Sequence, residues 1–92
     1  SAEDMQEVVK VMVKPLIASL TEKGIELKFQ ASALKLLAQE GYDVEMGARP
    51  LRRTLQTQVE DKLSELLLTG DLMTGQTLKV GVKAGQLKFE VA

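Results

Sequence analysis

Thr77-Leu78-Lys79-Val80-Gly81-Val82-Lys83-Ala84-Gly85-Gln86-Leu87-Lys88-Phe89-Glu90-Val91 separates a mixed fold from an all-helical one. Leu78, Val80 and Val82 alternate with polar or small residues, and Leu87, Phe89 and Val91 alternate again beyond Ala84-Gly85. A period of two places one row of side chains on one face of a strand, and so short a connection reverses the chain, so the segment reads as a β-hairpin. Gly81 inside the first strand points to a bulge or a close backbone approach. Upstream, Ile25-Glu26-Leu27-Lys28-Phe29 alternates in the same way and reads as a third, short strand. Its connections are long enough for it to lie beside a hairpin strand in either orientation.

Helical spacing fills the remainder. Over residues 4–23, Met5, Val8, Val9, Met12, Leu16, Ile17 and Leu20 recur at three- and four-residue steps, and Gly24 supplies a stop. Pro15 has no amide to give the carbonyl of Val11, which predicts one kinked helix rather than two separate ones. Residues 31–40, with Ala33, Leu34, Leu36, Leu37 and Ala38, predict a short buried helix capped by Gln30 or Ser32 and stopped by Gly41. After a loop at 42–47, Pro50 stands in the first turn of a long helix. Its stripe, Leu51, Leu55, Val59, Leu63, Leu66 and Leu67, runs for about five turns to Gly70. The expected fold is α+β: three helices packed on a small three-stranded sheet that ends in a C-terminal hairpin, with residues 1–92 forming a single domain.

Ninety-two residues leave room for one core and too little for two. Hydrophobic residues at 45% and charged residues at 27% are a globular balance. The aromatic residues are Phe29, Tyr42 and Phe89, too few for a base-stacking platform. Cys and His are absent, which removes disulfides, thiol and imidazole catalysis, and nearly every zinc or haem ligand set. Twelve basic residues against thirteen acidic ones give a net charge of −1, the wrong sign for a surface that gathers nucleic acid. Neither a membrane-spanning run of ~20 apolar residues nor a signal peptide opens the chain, so a cytoplasmic protein is expected, with neither nucleic acid nor membrane as partner. Ser1-Ala2 followed at once by a helical pattern reads as a piece excised from something longer, with Ser1 left by cloning.

One segment looks costly unless it binds something. In Gly47-Ala48-Arg49-Pro50-Leu51-Arg52-Arg53, three of the twelve basic residues crowd the start of a helix, the end that already carries partial positive charge. An arriving anion, a phosphate by preference, would be met by backbone amides, dipole and guanidinium together. Arg49 stands three residues before Arg52 and four before Arg53, spacings that share one side of a helix, whereas Arg52 and Arg53 diverge by about 100°. The plainer alternative is surface pairing with Glu45 or other carboxylates. Glu60, Asp61 and Glu65 read as a solvated face with Lys62, the four methionines as core or rim, Tyr42 as a buried loop anchor, and Asp43 as a turn or cap residue. Without a Gly-rich phosphate loop, the chain cannot hydrolyse a nucleotide alone.

Gly41-Tyr42-Asp43 followed by Gly47-Ala48-Arg49-Pro50-Leu51-Arg52-Arg53 resembles the signature of Clp-type AAA+ protein unfoldases. The likeness covers almost the whole chain: a leading helix, a strand at Gly24-Ile25-Glu26-Leu27, the motif, a long helix with Val59-Glu60-Asp61 and Leu63, and a closing hairpin. In that family such a stretch is the C-terminal small subdomain, or lid, of the second AAA+ module, and the branch it is most similar to is that of ClpE and ClpC, with ClpE preferred. The resemblance implies that Arg49 is the sensor 2 arginine, reaching the γ-phosphate of ATP. That ATP, with its Mg²⁺, would be held mainly by the preceding large subdomain. It also implies that Ala48 and Val8 wall the adenine pocket and that Arg52 and Arg53 serve the interface with a neighbouring subunit of a homo-hexamer. Catalytic residues, metal ligands and the docking loop for a Clp peptidase would lie elsewhere in an ATP-hydrolysing parent, leaving this piece no enzyme by itself. The loop Asp43-Val44-Glu45-Met46-Gly47 departs from the many relatives with Pro after the Asp and an aromatic before the Gly, which implies a less rigid loop. A stand-alone module docking an acidic partner through the arginines is the competing class, and a nucleic-acid binder a weaker one.

Overall fold

The computed structural model describes residues 2–92. Helices α1 (Ala2–Met12) and α2 (Lys14–Glu22) lead to strand β1 (Glu26–Phe29) and helix α3 (Ala31–Glu40). Helix α4 (Leu51–Leu55), a π-helical turn (Gln56–Glu60) and helix α5 (Asp61–Thr69) follow, and strands β2 (Thr77–Lys83) and β3 (Gln86–Val91) close the chain. Glu3 and Asp4 in the first turn of α1 and Lys10 in its last complement the helix dipole. Only Val13 separates α1 from α2, and it keeps right-handed helical torsions, φ −82° and ψ −12°. The Val13 amide still donates to the Val9 carbonyl at 2.9 Å and the Ile17 amide to the Val13 carbonyl at 3.0 Å. The break is therefore the expected kink, centred on the Val11 carbonyl that Pro15 cannot serve.

The sheet order is β1-β2-β3, with β1 parallel and β3 antiparallel to β2. The orientation that the sequence left open is decided by a latch between the end of α2 and the turn before β2. Gly75 donates its amide to the Gly24 carbonyl at 2.8 Å, the Thr74 hydroxyl donates to the Lys23 carbonyl at 2.8 Å, and the Glu26 amide donates to the Gln76 carbonyl at 3.1 Å. Leu27 and Phe29 thereby align with Leu78 and Val80, and Val80 with Phe89, on the face the helices cover. The opposite face is charged, with Lys28 paired to Glu26 at 2.9 Å and Lys88 to Glu90 at 3.1 Å. The hairpin turns through Ala84 (φ 53°) and Gly85 (φ 76°), two positive torsions that match the twist of the flanking strands. Gly81 is neither a bulge nor a backbone approach: the β2–β3 register runs unbroken past it, and what a Cβ there would meet is the Gln30 side chain. Gln30 does stand at the N-cap of α3, without a side-chain capping bond.

Two expectations change. The helix expected to run unbroken over 51–69 is interrupted by the π turn, whose Val59 is fully buried. Leu51, Leu55, Val59 and Leu63 are all buried and each is four residues after the last. Four residues of α-helix turn through about 400°, so this stripe drifts by about 40° per step unless a wider turn absorbs it. Leu72, in what reads as a plain turn, is 2% exposed, and its amide donates to the Leu66 carbonyl at 3.1 Å, sealing the end of α5.

Candidate functional site

The arginine segment is presented by a loop closed on itself. The Asp43 carboxylate accepts the amides of Glu45 at 2.8 Å and Met46 at 2.9 Å. The backbones of Asp43 and Gly47 exchange both amide-to-carbonyl bonds, at 2.9 and 2.7 Å. Asp43 is thus the turn residue it was expected to be. Gly47 adopts φ +66°, a torsion side chains disfavour, and so lets the chain leave the loop toward Ala48. Behind the loop, Gly41 fits the end of α3 against the start of α4: a Cβ there would overlap the Leu51 side chain and stand 3.0 Å from the Leu51 Cα. Leu51 and Leu37 are themselves 1% and 0% exposed, so the loop is pinned to the core at the point where α4 begins.

Arg49 lies in the turn before α4 rather than inside the helix. Its amide donates to the Met46 carbonyl at 3.3 Å, the Leu51 amide donates to the Ala48 carbonyl at 3.0 Å, and Pro50, at φ −71° and ψ −8°, leads into α4. Arg49, Arg52 and Arg53 are all exposed. None of the three guanidiniums has an ion-pair partner among the described residues, Glu45 included. The amides of Arg52 and Arg53 also find no backbone acceptor among the described residues. Unpaired guanidiniums beside unspent amides form a donor set that suits an anion. No cluster of three or more His, Cys, Asp or Glu side chains arranged to hold a metal ion occurs among the described residues.

The expected site residues come from different elements. Ala48 adjoins Arg49 and is half-buried. Val8 stands 36% exposed on α1, which packs mainly on α3. Arg52 lines a groove of about 560 Å³ between the α1–α2 kink and α4, whose walls include Val11, Met12, Pro15, Leu55 and Glu60. Arg49, Arg53, Ala48 and Val8 are not among those walls. Tyr42 corrects an expectation: it is 49% exposed, because the loop closes through Asp43 and Gly47 and leaves the ring outside the core. The groove beside Arg52 was not foreseen, since it needs the Pro15 kink and α4 to come together.

A family model described as the C-terminal, D2-small domain of ClpB protein matches residues 1–80. The chain belongs to this family. The matched span of the D2-small domain holds the whole arginine segment and ends within β2, before the second strand of the hairpin. Similar full-length proteins include the ATP-dependent Clp protease ATP-binding subunit ClpC of Staphylococcus saprophyticus, 37% identical over 91 residues, or 99% of this chain and 11% of that protein. The chaperone protein ClpB of Rickettsia conorii is 36% identical over 89 residues, 97% of this chain and 10% of that protein. ClpC of Staphylococcus aureus is 39% identical over 90 residues, 98% and 11% respectively. The chain therefore spans about a tenth of the length of the curated relatives it matches. Kinship to ClpC is as expected, and ClpB stands at nearly the same identity. The α+β fold of the D2-small family follows the expected order of helix, strand, helix, long helical stretch and hairpin.

Proposed function

We propose that residues 1–92 are one domain, the C-terminal small subdomain of a larger cytoplasmic AAA+ protein that works as an ATP-driven, homo-hexameric Clp-type unfoldase or chaperone. In this reading the domain is a lid that senses nucleotide and touches the neighbouring subunit. Arg49 reaches the γ-phosphate of ATP held mainly by the large subdomain, Ala48 and Val8 form a wall for the adenine, and Arg52 and Arg53 meet the adjacent subunit. The observation that carries it is the state of Arg49: exposed, without an ion-pair partner among the described residues, and set on a hydrogen-bonded loop that Gly41 and Leu51 brace against the core. A cation on a braced loop converts a pull on one group into rotation of the whole lid.

Bound ATP would supply the anionic γ-phosphate and, with its Mg²⁺, the bond that is hydrolysed. Arg49 holds the lid closed against the large subdomain while that phosphate is present. When the phosphate leaves, the guanidinium loses its counter-charge and the angle between the two rigid bodies relaxes. Catalytic groups belong to the large subdomain, so the 92-residue chain does not hydrolyse ATP alone, and any Clp peptidase docks on other parts of the parent. Among the described residues no helix is long and apolar enough to cross a membrane. The groove that Arg52 lines favours a second reading, a stand-alone module that docks an acidic partner.

The test is the steady-state ATPase rate and ATP affinity of the full-length parent carrying Arg49→Ala, Arg52→Ala or Arg53→Ala, with hexamer formation monitored. The lid reading expects Arg49→Ala to lower the rate ~10-fold or more, about 1.4 kcal/mol, in an intact hexamer, and the other two to act less and through assembly. Equal losses across the three, or an unchanged Arg49→Ala enzyme, would favour the docking module.

A further inference from the structure

We propose that the open edge of β3 pairs with β3 of a second copy of this chain, antiparallel, about a two-fold axis at Phe89. The parity of the hairpin shows which groups are available. Thr77 and Ala92 exchange both backbone bonds across β2 and β3, at 2.9 and 2.8 Å. Antiparallel ladders alternate, so Gln86, Lys88 and Glu90 also turn their amides and carbonyls inward to β2. Leu87, Phe89 and Val91 then turn theirs outward, on the strand that ends the order β1-β2-β3 among the described residues. The side chains of these three residues are also incompletely covered: Leu87 and Phe89 are half-buried and Val91 is 37% exposed. Leu87 and Phe89 border a groove of about 440 Å³ between β3 and the π turn with α5, which leaves the flank of the strand open.

Charge then selects both partner and register. With Phe89 facing Phe89 of the second copy, Leu87 faces Val91, and Lys88 faces Glu90 twice over. The outward-facing groups meet one another in about six backbone bonds, and the charged pairs fall at the non-hydrogen-bonded positions where side chains approach closest. Sliding by two residues one way sets Lys88 against Lys88, and the other way sets Glu90 against Glu90. A slip of one residue puts apolar side chains on the charged face. A lysine on an edge strand ordinarily discourages pairing, but here the same strand carries its complement two residues on. The contact is isologous, unlike the head-to-tail contacts that close a ring, and it stands independently of the nucleotide-sensing reading.

The experiment uses Lys88→Glu, which makes the edge doubly acidic, and Glu90→Lys, which makes it doubly basic. Both side chains are substantially exposed, at 44% and 53%, so the fold survives either change, which circular dichroism verifies. Sedimentation equilibrium of the 92-residue chain should show dimer growing with concentration below about 1 mM. Each variant alone should self-associate about tenfold more weakly, and a 1:1 mixture should recover the original affinity, because both cross-strand pairs are then complementary while neither chain regains its internal ion pair. In the unaltered chain the amides of Leu87, Phe89 and Val91 should exchange more slowly as concentration rises. The proposal is overturned by a strictly monomeric chain, by a mixture that associates no better than its components, or by a dimer whose three outward amides exchange at the monomer rate.

Discussion

The helical stretch broken at Val13 and the one broken at Gln56–Glu60 both carry a buried stripe, with different spacings. Val9, Val13 and Leu20 are the buried positions of the first, eleven residues from end to end, and Leu51, Leu55, Val59 and Leu63 those of the second, twelve from end to end. Eleven residues turn through about 1,100°, some 20° from three whole turns, so the first stripe fits a straight α-helix, whereas twelve turn through about 1,200° and carry the second about 120° off its face. The first has no such mismatch to release and bends at a proline, whose missing amide marks the place in the sequence. The second releases it in a wider turn with no proline or glycine within it, among the ordinary helix formers Gln56, Thr57, Gln58, Val59 and Glu60. One interruption is chemical and local; the other is imposed by the packing of both flanking helices onto the same core. Arg52 lies in the groove between the two broken stretches.

The comparison breaks most visibly under deletion. Removing the exposed Lys35 from the regular helix α3 turns Leu37 and Ala38 by about 100° relative to Ala33 and Leu34, all four buried. We expect a loss of about 4 kcal/mol or more in urea-induced unfolding, enough to unfold a domain this size. Removing the exposed Thr57 from the π turn instead leaves spacings of four, three and four residues along the buried stripe, which an α-helix satisfies. That deletion should cost less than about 1 kcal/mol, and a loss as large as that of the Lys35 deletion would mean that the extra residue is not what the π turn absorbs. The smallest effect is expected of Pro15→Ala. Restoring an amide for Val11 is offset by a more flexible unfolded chain, so stability should move by about 1 kcal/mol or less. A gain near 3 kcal/mol would show that the proline alone bends the helix against the preference of the core.

The residues that were legible are those whose local chemistry is restrictive. Asp43 as a turn residue, Ala84-Gly85 as a reversal, Pro15 as a kink and the unusual charge at Arg49 each follow from a side chain's own geometry or charge. The π turn was legible in principle, in the strict four-residue spacing of Leu51, Leu55, Val59 and Leu63, but that spacing also reads as an ordinary helical stripe unless the drift is followed over several turns. Tyr42 shows the limit from the other side. An aromatic ring in a loop is ordinarily an anchor, yet whether it is buried depends on where the loop closes, and the bonds between Asp43 and Gly47 close it with the ring outside.

Local spacing and stereochemistry alone settled that three strands and three helical stretches exist, where the chain turns, and that the arginines cluster at the start of a helix. Those features depend on neighbours within a few residues. Tertiary contacts decided that β1 runs parallel to β2, through the latch of Gly24 and Lys23 with Thr74 and Gly75. They also decided that Gly41 braces Leu51, that the long helix opens into a π turn, and that Arg52 meets the Pro15 kink. Each of these joins residues that are distant in the chain or sums small angular mismatches over many residues, and a packed core tolerates only the arrangement in which all the stripes point inward at once.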